Sequence, residues 1–228
     1  MKILPLQLLY MLITVLLFTS CSKQENYSCD EKINSWVKEN KTAIANFTRS
    51  QILEKDHEYQ KGIYAAASAS KKYDLWLVKL NEVQRLPWSE QELHHINLLK
   101  SYLSPALFES AAKVKEMAPL LKQWKETALT TLKWDMRTVA SIASDLRTPI
   151  SKNGDFEPIN TSRLATSNNA VIADSESGGG CKCNKTDDYC NGPIAGPNGP
   201  LRCSSSNCNT SGSGCGTLWL SSCNGMCF

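Results

Sequence analysis

Three histidines in 228 residues, two of them adjacent, leave little for metal or acid–base chemistry. His57 stands alone, and neighbouring helix positions face different directions, so His94 and His95 do not jointly grip one ion. No His-Glu-x-x-His spacing and no assembled Ser/His/Asp or Cys/His set occurs, which argues against an enzyme and against any cofactor, metal or small-molecule substrate. Charge of one sign is scarce as well. The 25 basic and 22 acidic residues leave a formal net charge of +3, with no clustered basic patch of the kind that nucleic acid requires of a partner. An apolar run of the roughly 20 residues needed to span a bilayer is also missing.

The longest apolar run, residues 6–18, follows a positive start at Met1-Lys2 and leads into Thr19-Ser20-Cys21. That is the layout of an export signal over residues 1–20. The cysteine after small residues resembles the lipidation site of bacterial lipoproteins, which makes Cys21 the expected lipid anchor and the membrane a partner. Ser22 beside it points to the outer membrane or cell surface, and ordinary cleavage near Cys21 is the alternative. Export places the remaining cysteines where disulfides persist.

Residues 27–147 are charged, rich in Leu, Ala and Lys and poor in glycine, which is the composition of one all-α domain. Apolar spacing predicts a helix over 30–46, a pair over 58–67 and 70–86, and a fourth opened by the Ser89/Glu92 capping box. Ser104-Pro105 opens another, Pro119 is expected to end or kink it, and 120–146 carries the last periodic segment. Trp36, Trp76, Trp88, Trp124 and Trp134 read as helix-packing aromatics. Cys29 at the first helix start is expected to be a partly buried thiol, with an intermolecular cross-link as the alternative.

Residues 148–180 lose the helical period and fill with Thr, Ser, Asn and Gly, which predicts a flexible linker. Its closing Gly179 and Gly180 either detach the C-terminal residues from the helices or mark a processing site.

Residues 181–228 hold eight of the ten cysteines: Cys181, Cys183, Cys190, Cys203, Cys208, Cys215, Cys223 and Cys227. Few large side chains lie between them, so hydrophobic burial alone does not hold so small a module, and an even cysteine count in an exported chain predicts a disulfide framework. The 105 possible pairings of eight cysteines stay open on sequence grounds. Leu218, Trp219, Leu220, Met226 and Phe228 are either the module's own small core or its contact with a membrane or target.

The order Cys181-Lys182-Cys183, Asp188-Tyr189-Cys190, Gly214-Cys215-Gly216-Thr217 followed by Trp219, and Cys223-Asn224-Gly225 resembles the fulvocin C family of small cysteine-rich bacteriocins. The resemblance covers the last fifth of the chain. It implies a bacteriocin or its precursor, exported and acting on a competitor's cell envelope through the cystine module, which is released extracellularly if the chain is cut. The alternative is a non-toxic surface lipoprotein whose module binds a protein or a glycan. The expected architecture is an all-α helical domain, a flexible linker and a small disulfide-rich, loop-dominated C-terminal module.

Overall fold

A computed structural model describes residues 25–157, 182–190, 202–205 and 211–227. The described chain is an all-α body followed by a disulfide-rich segment with little regular structure. The body has nine helices among the described residues: α1 Glu31–Glu39, α2 Lys41–Ile44, α3 Arg49–Leu53, α4 His57–Ala66, α5 Ala69–Val83, α6 Glu90–Ser101, α7 Pro105–Glu109, α8 Ala111–Thr130 and α9 Met136–Ala143. None is long and apolar enough to cross a membrane.

Side-chain caps decide most of the starts. Asp30, Ser68, Ser104, Ser110 and Asp135 each accept an amide from the first turn, and Thr48/Gln51 and Ser89/Glu92 form full capping boxes. Several boundaries differ from the periodicity reading. The helix expected over 30–46 breaks at Asn40, whose backbone and side-chain N–H groups both donate to Trp36 O, at 3.0 and 2.8 Å. Helix α3 escapes that reading altogether, because five residues are too few to show a period.

Pro119 neither ends nor splits its helix. It has no N–H for the Lys115 carbonyl, a loss of about 3 kcal/mol. Met117, Leu121, Trp124 and Ala128 nevertheless bury one face of α8, and their packing outweighs that loss. The helix runs on to Thr130, and past its end Lys133 adopts a left-handed φ of 57° while Trp134 N bonds back to Ala128 O at 3.0 Å.

The core runs through Val37, Ile63, Tyr64, Trp76, Leu80, Ile96, Leu99, Trp124, Val139 and Ile142. His95 belongs to it: its ring stacks on Trp124 with centroids 5.0 Å apart, and its Nε2 lies 2.9 Å from Trp124 O. His94 is exposed, so the two histidines do diverge. Residues 148–157, at the start of the stretch read as linker, lie against the body. Thr148 Oγ1 accepts from Arg49 Nη2 at 2.6 Å, and Lys152 Nζ donates to Glu92 Oε2 at 2.6 Å.

In the C-terminal segment, β1 (Cys203–Ser205) pairs antiparallel with β2 (Gly225–Cys227), placing Cys203 opposite Cys227. Bridges Cys183–Cys203 and Cys190–Cys227 tie the 182–190 segment across this ribbon, and Cys215–Cys223 closes a third, short loop. Six of the eight expected cysteines are therefore paired, and Cys181 and Cys208 lie outside the described residues. Gly225 has to be glycine here, since a Cβ would sit 2.6 Å from Ser204 O and 2.7 Å from Cys203 Sγ. Cys29 is half-buried against the Cys215–Cys223 bridge, its Sγ 3.7 Å from Cys223 O.

Candidate functional site

The short loop closed by Cys215–Cys223 forms the contact between the two parts. Its ends pair through Cys215 and Ser221, with N···O distances of 3.0 and 2.9 Å, and the turn between them forces Leu218 (φ 54°) and Trp219 (φ 52°) into the left-handed region. Two consecutive non-glycine residues there cost about 1–2 kcal/mol each. What they gain is projection: both side chains leave the cystine segment and enter the helical core, Leu218 at 0 % and Trp219 at 1 % exposure.

The seat is aromatic. Trp219 meets Tyr64, His57 and Trp76 edge-on, with centroids at 5.2, 5.7 and 6.2 Å, and its Nε1 donates to Ser144 O at 2.8 Å. Tyr64 Oη accepts from Trp76 Nε1 at 3.1 Å and donates to Leu218 O at 2.9 Å, so the polar side-chain atoms of Tyr64, Trp76 and Trp219 all have partners. Burial pushes the Tyr64 hydroxyl far above its ordinary pKa, which keeps this donor protonated.

Two lysines of the body hold the flanks. Lys125 Nζ stands 3.8 Å above the Tyr189 ring and donates to Asp187 Oδ1 and Asp188 O at 3.1 and 2.7 Å. Lys61 Nζ reaches Lys182 O and Glu58 Oε1, both at 3.1 Å. On the cystine side, Asp187 Oδ2 accepts from Thr217 N at 2.5 Å. Gly216 (φ 74°) makes room for that carboxylate, because a Cβ there would approach it to 2.7 Å.

Beside the seat, the two parts enclose a cleft of about 1110 Å³. Its body wall is formed by residues 53–58, Gln60 and Lys61 with Ala140, Asp145 and Arg147, and its other wall includes Lys182, Asp187, Tyr189 and Gly214. Burial, and next to it the Lys61 cation, lower the His57 pKa to about 4, so the imidazole is neutral at pH 7. A base whose folded pKa lies below its free value of about 6.5 adds stability above that value and loses it as pH falls toward 4. Acid titration is therefore expected to remove up to about 3 kcal/mol between pH 6.5 and 4, beginning with the seat that His57 shares with Trp219. His57→Gln should flatten that window, as urea midpoints measured across it would report.

Of the residues expected to touch a membrane or target, Leu218 and Trp219 are core residues of the docked form, while Leu220 and Met226 are half-buried. Phe228, Gly179, Gly180 and Cys21 lie outside the described residues. Sequence patterning does not reveal the seat (Tyr64, His57, Ser144) or its flanking Lys61 and Lys125. A polar run inside a helix, Gln60-Lys61 before Tyr64, is the one signal it offers. Comparison with family models, curated proteins and solved structures found no match.

Proposed function

We propose that this is an exported, fulvocin C-related bacteriocin precursor in which the helical body carries the cystine module with its apolar contact residues covered. The observation that carries this reading is the near-complete burial of Leu218 and Trp219 within the core of the helical body, where Trp219 meets His57, Tyr64 and Trp76. A small module that must later present a Trp flanked by leucines to an envelope gains from a holder that hides them until delivery. Cys21 supplies the lipid anchor. Only the chain from Cys21 to Glu25 separates it from the first described residue, about 14 Å when fully extended, which keeps the body close to the membrane.

A cut near Gly179-Gly180 then serves as the release step. While the parts are tethered, docking works at an effective concentration in the millimolar range. Once the tether is cut, the parts are joined by hydrogen bonds, ion pairs and ring contacts that dilution separates. The test replaces Gly179-Gly180 by a specific protease site in the full oxidised chain and adds the protein to related bacteria before and after cutting. Growth inhibition or leakage is expected only after the cut. No effect in either state, or full effect without cutting, overturns the reading.

A second reading, a non-toxic surface lipoprotein that binds a protein or glycan, is favoured by the cleft, since its walls come from both parts and separation would destroy it. Tags on either side of Gly180 distinguish the two in cells: a released small fragment fits the precursor, and a single full-length membrane species fits the surface protein.

A further inference from the structure

We propose that the bridges Cys183–Cys203 and Cys190–Cys227 form an exchange site for a small thiol, which converts them, with no net oxidation or reduction, into Cys183–Cys190 and Cys203–Cys227. The Sγ atoms of Cys183, Cys190 and Cys227 lie within 4.8 Å of one another, and Cys203 Sγ is bonded to the first of them. The sulfurs of two separate bridges therefore share one place in the cystine segment.

Backbone hydrogen bonds keep them there whichever sulfurs are joined. Cys183 N donates to Gly225 O and Gly225 N donates to Cys183 O, both at 3.1 Å. The antiparallel register sets Cys203 directly opposite Cys227. Cross-strand partners have Cα atoms about 4.5–5.5 Å apart, inside the roughly 4.4–6.8 Å that a disulfide spans. The Asp188 carboxylate then ties the remaining cysteine in, accepting from Cys190 N at 2.7 Å with one oxygen and from Cys203 N at 2.8 Å with the other. The second pairing needs new side-chain rotamers and no new fold.

Entry is from the cleft, whose lining includes Cys183, Cys190 and Cys227. Cys190 is buried and Cys227 is half-buried, so Cys227 is the more accessible end of their bridge. The thiolate attacks Cys227 Sγ, forms a mixed disulfide and expels Cys190 as a thiolate. Cys190 attacks Cys183 Sγ and expels Cys203, and Cys203 attacks Cys227 Sγ and expels the thiol that began the sequence. Three sulfur–sulfur bonds form and three break. The proton that the thiol gives up on entry returns to it on exit.

The consequence falls on the docked flank. Lys125 holds Asp187 and sits over the Tyr189 ring, and Lys61 holds Lys182 O, so the body grips residues 182–190. In the first pairing two bridges staple that stretch to the ribbon of β1 and β2. In the second, no bridge among the described residues joins them, and only hydrogen bonds do. A thiol therefore loosens the ribbon from the gripped stretch without cutting the chain. The inference goes beyond the functional reading and holds whichever of the two functions the module serves.

The test incubates the full oxidised chain, free of oxygen and at about pH 8, with 2-mercaptoethanol at about a tenth of the protein concentration, too little to reduce more than a small share of it. Trypsin cuts after Lys182, Lys185 and Arg202, so the second pairing yields residues 183–185 joined to 186–202 with nothing from 203–228 attached. That linked pair is expected in several-fold molar excess over the thiol, with the thiol recovered. In the exchanged protein, amide exchange over 182–190 should rise about tenfold while the helices keep their protection. The double variant Cys183→Ser/Cys190→Ser removes one partner from each bridge, and its Cys203 and Cys227 should then bond to each other and resist alkylation. The native pairing alone, a linked pair no more abundant than the thiol, or equal scrambling of Cys215–Cys223 overturns the proposal. Unchanged amide exchange over 182–190, or alkylation of Cys203 and Cys227 in the folded double variant, does so too. If that variant does not fold, the thiol experiment on the native chain decides alone. Cleavage at Gly179-Gly180 enters none of these measurements, so their failure leaves the precursor reading standing.

Discussion

Replacing Trp219 by alanine is expected to undock the cystine segment while leaving its bridges intact. The side chain is 1 % exposed and touches three aromatic rings, so truncation empties the largest single volume in the seat. Substitutions of this kind remove about 3–5 kcal/mol. Ser144 O also loses its donor, and Leu218 and residue 219 then hold left-handed backbone without the packing that offset it.

Thermal unfolding of the full chain should change from one transition to two, the first lowered by about 10 °C. Hydrogen exchange at 214–219 should rise toward that of an exposed loop, while peptide mapping under oxidising conditions still finds Cys183–Cys203, Cys190–Cys227 and Cys215–Cys223. Trp219→Phe keeps most of the ring contact and loses the bond to Ser144, so a loss of about 1–2 kcal/mol is expected from it. A single transition at the unaltered temperature in the alanine variant would mean that the parts are held together by something other than this side chain. The precursor reading adds a second consequence: an undocked full-length chain should inhibit related bacteria without being cut.

Local signals and long-range ones are not equally legible in the sequence. The Ser89/Glu92 box and Pro105 at the first position of α7 open helices where expected, because a cap is complete within four residues. The all-α body and the cystine framework are legible from composition alone. Pro119 misleads, since its local cost is fixed while the packing that overrides it depends on partners far along the chain. The largest gap concerns Trp219. Composition marks it as a large apolar residue in a hydrophobe-poor segment, which fits a small core or a membrane contact equally well. Its actual neighbours, Tyr64 and Ser144, lie 155 and 75 positions away (219 − 64, 219 − 144), and no periodicity encodes such a pairing.

The seat depends in turn on a buried cation, and removing that cation is the second large effect expected. Lys79 is fully buried, and its Nζ donates to Ser141 O at 2.7 Å, to Ile142 O at 2.6 Å and to Asp145 O, three carbonyls at and just past the C-terminal end of α9. Three ammonium hydrogens match three acceptors at the negative end of the helix dipole, and the ring of Trp76 lies 4.8 Å away. Ser144 lies within the same turn, so the carbonyl that receives Trp219 is positioned by the chain Lys79 holds. Lys79→Met keeps the length and strands all three carbonyls, a loss of about 3–5 kcal/mol in urea unfolding at pH 7. The pH dependence has a definite sign. Burial, with Arg49 and Arg147 adding to it, lowers the Lys79 pKa well below its ordinary value despite the opposing Asp145 carboxylate. A lysine that binds its proton less tightly when folded adds stability as pH rises from that lowered value toward about 10.4. The native chain should therefore gain on the methionine variant as pH rises through the alkaline range toward about 10.4. Equal slopes for the two proteins would show that the ammonium is not held in a dry site, and a variant within about 1 kcal/mol of native at pH 7 would show that another group satisfies these carbonyls.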